Sequence, residues 1–307
     1  MKQSRLFLTV MAVALLTACG QDDYSEPTIN VTTLIDDTSP TGGTRAASDI
    51  LNSSFETGDQ FNLYIVDNQS TSSTIADNVA TNTGTNVSTG KYYPANGHTV
   101  NIYGIYPSSV KYATTSFSVN ATQDMTEAGK TNYKASDLML ASKTNCARQD
   151  GAHTLTFTHQ LSKIIVQIKR DASLAATETA TVTLNNVKLG ATIANGAFSA
   201  VSGNASTVSM GTVTLSSTDS YQTLAAIIPP QSVPASGTAA SSLITVTLGS
   251  GGSYTYSTTA GTAASFATGN AYTYTITVGL KGIKVTTTIS DWTAPAANTT
   301  AIGNVTI

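Results

Sequence analysis

The sequence predicts an all-β protein built as two β-sandwiches in tandem. Three observations carry that expectation. Thr supplies 53 of the 307 residues, and its β-branched side chain suits a half-exposed strand. Gly, Asn and Ser recur between the apolar runs, where they supply turn chemistry. Only 11% of residues are charged against 40% hydrophobic. That is too apolar for a disordered chain and too poor in Leu, Glu, Lys and Arg for a helical bundle. The formal net charge of −3 excludes a nucleic-acid binder driven by a basic surface.

Residues 1–18 read as an export signal. Lys2 and Arg5 form a short basic start, and Leu6 to Ala18 follow without a charge. That run is shorter than a bilayer-spanning helix needs and has the form of a signal-peptide apolar region. It closes on Leu16-Thr17-Ala18-Cys19, which resembles the lipobox of bacterial lipoproteins. The resemblance implies cleavage before Cys19 and acylation of its thiol and new amine, which gives stable anchoring. Gln21-Asp22-Asp23 resembles the acidic tag that directs lipoproteins to the surface of Bacteroides-type bacteria.

Residues 19–45 read as a propeptide holding one strand. Ile29, Val31, Thr33 and Ile35 alternate with Asn30, Thr32 and Leu34, a period of two. Turn-forming residues follow from Asp36 to Gly43 and lead to Thr44-Arg45-Ala46-Ala47. Arg45 is the only Lys or Arg between Arg5 and Lys91. In a loop of this composition it is a good target for an Arg-specific protease, which would cut between Arg45 and Ala46.

From residue 46 onward the chain reads as β throughout. Expected strands are Phe61–Val66, Val100–Tyr106, Ser116–Val119, Leu138–Ser142 and Leu155–Lys169, then Ala180–Val187, Ala191–Ala200 and Val213–Ser216. Thr223–Ile228, Leu243–Leu248, Tyr254–Ser257, Tyr272–Val278 and Ile283–Ile289 complete the set, with turn clusters such as Asn82–Gly90 between them. A polar Ala/Thr stretch at Ala172–Ala180 places the junction, giving an N-terminal sandwich over 46–172 and a C-terminal one over 173–307. Within Leu155–Lys169 the apolar parity changes, which calls for a bulge or kink near Ser162-Lys163.

Chemistry-bearing residues are sparse. With Cys19 assigned to lipid, Cys146 is alone in a polar stretch that reads as loop, with neither a disulfide partner nor zinc-ligand spacing. His159 falls on an apolar strand face, as a buried histidine hydrogen-bonded to backbone would. His98 and His153 come without a carboxylate or nucleophile placed for acid–base work. No carboxylate pair, calcium loop or phosphate cradle is evident. The sequence therefore predicts no catalytic residue, no metal site and no cofactor, and so no enzyme. Tyr92-Tyr93 and Tyr272/Tyr274 are possible sugar platforms, though such residues more often pack strand faces.

Taken together, several segments resemble the fimbrillin family, the Mfa-like and major-fimbrillin lipoprotein pilins of Bacteroides-type bacteria. They are Thr44-Arg45-Ala46, Phe55 to Tyr64, Tyr92-Tyr93-Pro94, Val100 to Pro107, Ser136-Asp137-Leu138-Met139 and Leu155 to Ile164. Ile228-Pro229-Pro230-Gln231, Gly269 to Tyr274 and Ile289-Ser290-Asp291-Trp292 continue the series. The resemblance implies two transthyretin-like β-sandwiches and an outer-membrane lipoprotein precursor. It implies that an Arg-specific extracellular protease cuts after the residue matching Arg45, removing one strand. A strand from another subunit then fills the groove, and the fibre supports adhesion. The tail 301–307, with Ile302, Val305 and Ile307, is the possible donor, and such a tail favours a shaft subunit. The implied partners are further copies and anchor or tip subunits, with no nucleic acid. A tip, accessory or anchor subunit is the alternative, as is a monomeric surface lipoprotein that binds glycan or host protein.

Overall fold

The computed structural model describes residues 27–36, 55–70, 73–84, 86–128, 130–234, 240–292 and 301–306. Among them the only helix is one short turn, α1 (Thr131–Ala135); everything else regular is strand. The N-terminal body is made of β1 (Thr28–Ile35), β2 (Gln60–Asp67), β3 (Thr74–Thr81), β4 (Val87–Tyr92), β5 (Val100–Tyr106), β7 (Met139–Cys146) and β8 (His153–His159), with the short β6 (Ser116–Ser118) lying outside it. One layer runs β3-β2-β5-β7 and the other β8-β1-β4. They touch at a corner where β7 and β8 share only Met139↔His159 and Leu140↔Thr158. Ile29, Val31, Phe61, Leu63, Ile65, Val100, Ile102, Leu155 and Phe157 pack between the layers as one core. Gly104 is required there, because a Cβ would collide with the Phe157 ring.

The C-terminal body starts at β9 (Ser162–Arg170) and continues through β10 (Thr179–Ala194), β11 (Ala197–Thr214), β12 (Gln222–Ile228), β13 (Gln231–Val233), β14 (Ser242–Leu248) and β15 (Ser253–Ser257). β16 (Ala264–Phe266), β17 (Asn270–Gly279), β18 (Gly282–Asp291) and β19 (Ala301–Thr306) complete it. Its sheets run β11-β10-β14-β15 and β12-β9-β17-β18-β19, with β13 and β16 pairing as a small ribbon. The fold is therefore two β-sandwiches in tandem, as expected.

Four local expectations are corrected. The run Leu155–Lys169 is not one bulged strand. β8 ends at His159 in the N-terminal body, and β9 begins at Ser162 between β12 and β17. The parity change thus marks a change of sheet, and the chain crosses between bodies at Gln160-Leu161, ahead of Ala172–Ala180. Ala191–Ala200 contains a turn: Asn195 and Gly196 take φ of 52° and 81°, the left-handed pair that closes a tight hairpin. The cluster Asn82–Gly90 is not all turn, since Val87 to Gly90 belong to β4, and β3 before it went unread because its outer face is polar. Cys146 is not in a loop; it is the buried last residue of β7.

The two bodies are fastened by more than one connection. The β10–β11 hairpin runs on past β14, and there β10 takes β6 into its sheet through Gly190↔Ser118 and Thr192↔Ser116. At its tip Gly196 sits against Ile105 and Leu140. Ile105, Tyr133 and Leu138 accordingly belong to the same apolar core as Leu161, Ile164 and Trp292.

Candidate functional site

The first strand is held unlike any other. β1 runs parallel to β8 from Val31↔His153 to Ile35↔Phe157 and antiparallel to β4 through Asn30↔Ser88 and Val31↔Val87. It is therefore the central strand of its layer. Ile29 and Val31 are completely buried and Ile35 is 7% exposed, each worth about 1.5–3 kcal/mol of burial. Side chains stitch it further: the Thr89 hydroxyl donates to the Ile29 carbonyl at 2.7 Å and that of Thr32 to the Thr154 hydroxyl at 3.1 Å. β4 has no other ladder partner among the described residues. Without β1 the layer comes apart, leaving β4 unpaired and β8 held only at its corner with β7, over an open core, a costly arrangement in water.

At the other end of the chain, β19 lies on the outer edge of the second sheet of the C-terminal body. Among the described residues it pairs only with β18, from Gly282↔Thr306 to Thr287↔Ala301. Ile302 stands opposite Thr286 and Val305 opposite Ile283. Cys19, Arg45, Ala46 and Ile307 lie outside the described residues.

The polar centre of the molecule is the junction. His159 closes β8, and its Nδ1 is 2.9 Å from Asp137 Oδ1, so the backbone partner expected for it is replaced by a carboxylate. The imidazole stacks on Trp292, ring centroids 4.1 Å apart at 5°, and Lys163 Nζ lies 4.4 Å from the indole centroid. Asp137 and Lys163 are fully buried, with Trp292 nearly so. Burial pushes the Lys163 amine well below its usual range, and Asp137 opposes that shift. Three separated segments thus converge here, Ser136-Asp137, His159 to Lys163 and Asp291-Trp292. Each segment is legible in the sequence, but their meeting is not. No spacing rule could have revealed it, because the contact joins the ends of different sheets.

The remaining histidines are structural. His98 Nδ1 holds Asp67 Oδ2 at 2.9 Å, and this hydrogen bond keeps the Asp67 carboxyl below its usual range. His153 Nε2 is 2.7 Å from the Tyr93 hydroxyl, and burial pushes the His153 pKa down. Among the described residues no three His, Cys, Asp or Glu side chains are grouped to hold a metal. No described helix is long and apolar enough to cross a membrane.

Two joined sandwiches, the first with β1 paired on both sides at the centre of one layer, define a tandem β-sandwich protein. Residues 44–292 match the fimbrillin-like family. The chain belongs to that family, which makes it a protein of the fimbrial class. Among solved structures, a cell adhesion protein from Bacteroides uniformis is similar at 21% identity with a TM-score of 0.63, covering 89% of this chain and 100% of that one. One from Bacteroides ovatus is similar at 16% identity with a TM-score of 0.63, covering 88% and 99%. These likenesses show a shared fold. No curated protein matches.

Proposed function

We propose that this chain is a structural subunit of a cell-surface fimbria, most naturally of the shaft. It is exported as an outer-membrane lipoprotein on Cys19 and cut between Arg45 and Ala46 by an Arg-specific extracellular protease. It then polymerises by strand exchange with further copies, in a fibre that supports adhesion. The observation that carries this reading is the position of β1. A strand that precedes Arg45 in the chain is the central strand of the N-terminal body's second layer, with Ile29, Val31 and Ile35 sealed in the core. Cleavage at Arg45 would separate that strand covalently from the body it completes. Once it leaves, unpaired ladders and an apolar groove favour any strand that restores both. The tail 301–307 is the proposed donor, since β19 is held on one side only. Head-to-tail donation does not close on itself and so yields a filament. The reading gives the chain no catalytic role and no cofactor.

The test uses purified, non-lipidated precursor treated briefly with an Arg-specific protease and run unheated on a denaturing gel. Arg45→Ala and a chain ending at Pro295 run beside it. A heat-labile ladder only in the cleaved full-length sample supports the proposal. A cleaved chain that stays monomeric favours a tip or accessory subunit. Resistance at Arg45 favours an anchor subunit or a monomeric binding lipoprotein.

A further inference from the structure

We propose that the C-terminal sandwich carries a binding cleft for a single neutral saccharide ring, between the Thr258–Ala263 connection and the inner faces of β17 and β18. The cleft encloses about 290 Å³. It exists because the two sheets stop at different places. β14 and β15 pair only as far as Ser242↔Ser257, whereas β17 and β18 stay paired out to Asn270↔Asp291. Core-facing residues at that end of the longer sheet therefore meet a loop instead of a strand. Ile289 has the strand parity of the buried Ile283 and Val285, yet it is 43% exposed.

The lining selects the ligand class. The half-buried Tyr256 forms its accessible aromatic wall, 5.7 Å from Tyr274 at 58°, while Tyr274, Phe266 and Tyr272, each buried, form the floor behind it, with Phe266 and Tyr272 4.9 Å apart at 87°. The Tyr272 hydroxyl accepts the Ala267 N–H at 2.8 Å, so that floor is fixed before anything binds. Thr259, Thr262 and Thr287 are among several hydroxyl residues of the lining, which among the described residues contains no Lys, Arg, His, Asp or Glu. A charged ligand would lose its hydration here and gain no counter-charge. The Thr258 hydroxyl already accepts the Ser241 N–H at 2.9 Å, but a wholly apolar ligand would strip water from the exposed Thr259 and Thr262 hydroxyls without replacing it. A pyranose answers both surfaces, with C–H groups toward the rings and hydroxyls toward side chains that both donate and accept. The volume is at the foot of the usual range for ligand sites, about 300 Å³ upward, and so suits one ring. The half-buried Tyr64 and Tyr112 of the N-terminal body are poorer candidates, because they cover one another face to face at 4.3 Å and 10°.

The test is saturation-transfer NMR on the non-lipidated chain with the methyl glycosides of glucose, galactose, mannose and N-acetylglucosamine, followed by titration. At least one glycoside is expected to saturate in the millimolar range. Tyr256→Ala and Thr287→Val should each weaken it by about tenfold or more, the latter with an unchanged melting curve, because a lost hydroxyl leaves its partner unpaired. Tyr112→Ala should have no effect. Absence of binding by all four glycosides overturns the proposal. So does binding that survives Thr287→Val, or that is lost in Tyr112→Ala.

Discussion

His159 and Trp292 stack face to face, 4.1 Å between ring centroids, with one residue closing the last strand of the N-terminal body and the other following β18 of the C-terminal body. The contact couples the two sandwiches at the apolar core that Ile105, Tyr133 and Leu138 share with Leu161, Ile164 and Trp292. It is backed by the Trp292 N–H, which donates to the Gly269 carbonyl at 2.8 Å. Asp137 fixes the imidazole from the N-terminal side.

Removing the indole should therefore loosen both bodies at once. Trp292→Ala is expected to cost about 3–5 kcal/mol, the range for a buried Trp reduced to Ala. His159→Ala should cost about 1–3 kcal/mol by leaving Asp137 short of a hydrogen-bond partner in a dry site. Urea unfolding of each variant checks these values; a change below 1 kcal/mol for Trp292→Ala (on the order of surface substitutions) would contradict the role of the stack.

Acid should weaken the strand that carries His153. Burial lowers its folded pKa beneath the ordinary 6.5, so the unfolded chain binds the proton more readily. Stability from this group is complete above pH 6.5 and is lost as pH falls through the folded value. His153→Phe should flatten that part of the stability–pH curve. Thermal melts across this range, with the variant beside the parent chain, measure the difference.

A carboxylate in place of Val31 separates the uncleaved from the cleaved protein. In the precursor, Val31→Asp puts an unpaired charge into a sealed core and should cost about 3 kcal/mol or more. After cleavage at Arg45 and release of β1, the variant should polymerise as the parent does, because residue 31 has left. Melting of the precursor and the unheated gel of the cleaved sample give the two readings.

The hairpin tip should not tolerate a side chain. Gly196 combines φ of +81° with Ile105 atoms 2.8 Å from where a Cβ would stand. Gly196→Ala is expected to destabilise by about 1–2 kcal/mol, since the conformation and the contact both oppose it. Chemical denaturation checks this, and Gly203→Ala, at φ +83° with open space around it, isolates the conformational part.

Cys146 should be silent in the folded chain. It is buried, and burial raises its thiol pKa, so little thiolate meets reagent. Labelling by a disulfide reagent at mild alkaline pH should be orders of magnitude slower than in denaturant, with a rate that tracks local opening of β7.

The sequence by itself determined the class of fold and most of the strands. Period-two alternation at Ile29–Ile35, Val100–Tyr106 and Tyr272–Val278 reports a half-buried sheet whatever the neighbours are, because successive side chains point to opposite faces. It also supplied the strand-like segment ahead of Arg45 and the strand-like tail at 301–307, which are local patterns of residue type. The change of parity at Ser162-Lys163 was visible too, but a local pattern cannot distinguish a bulge from a step into another sheet. Strand order, by contrast, was decided only in the tertiary structure. That β1 lies parallel to β8 and antiparallel to β4 depends on pairings across more than a hundred residues and about sixty, respectively, which are set by whole-face burial and not by local preference. The same holds for Asp137, His159, Lys163 and Trp292. Each is unremarkable in its own segment, and their meeting exists only because two sandwiches pack end to end and bury what lies between.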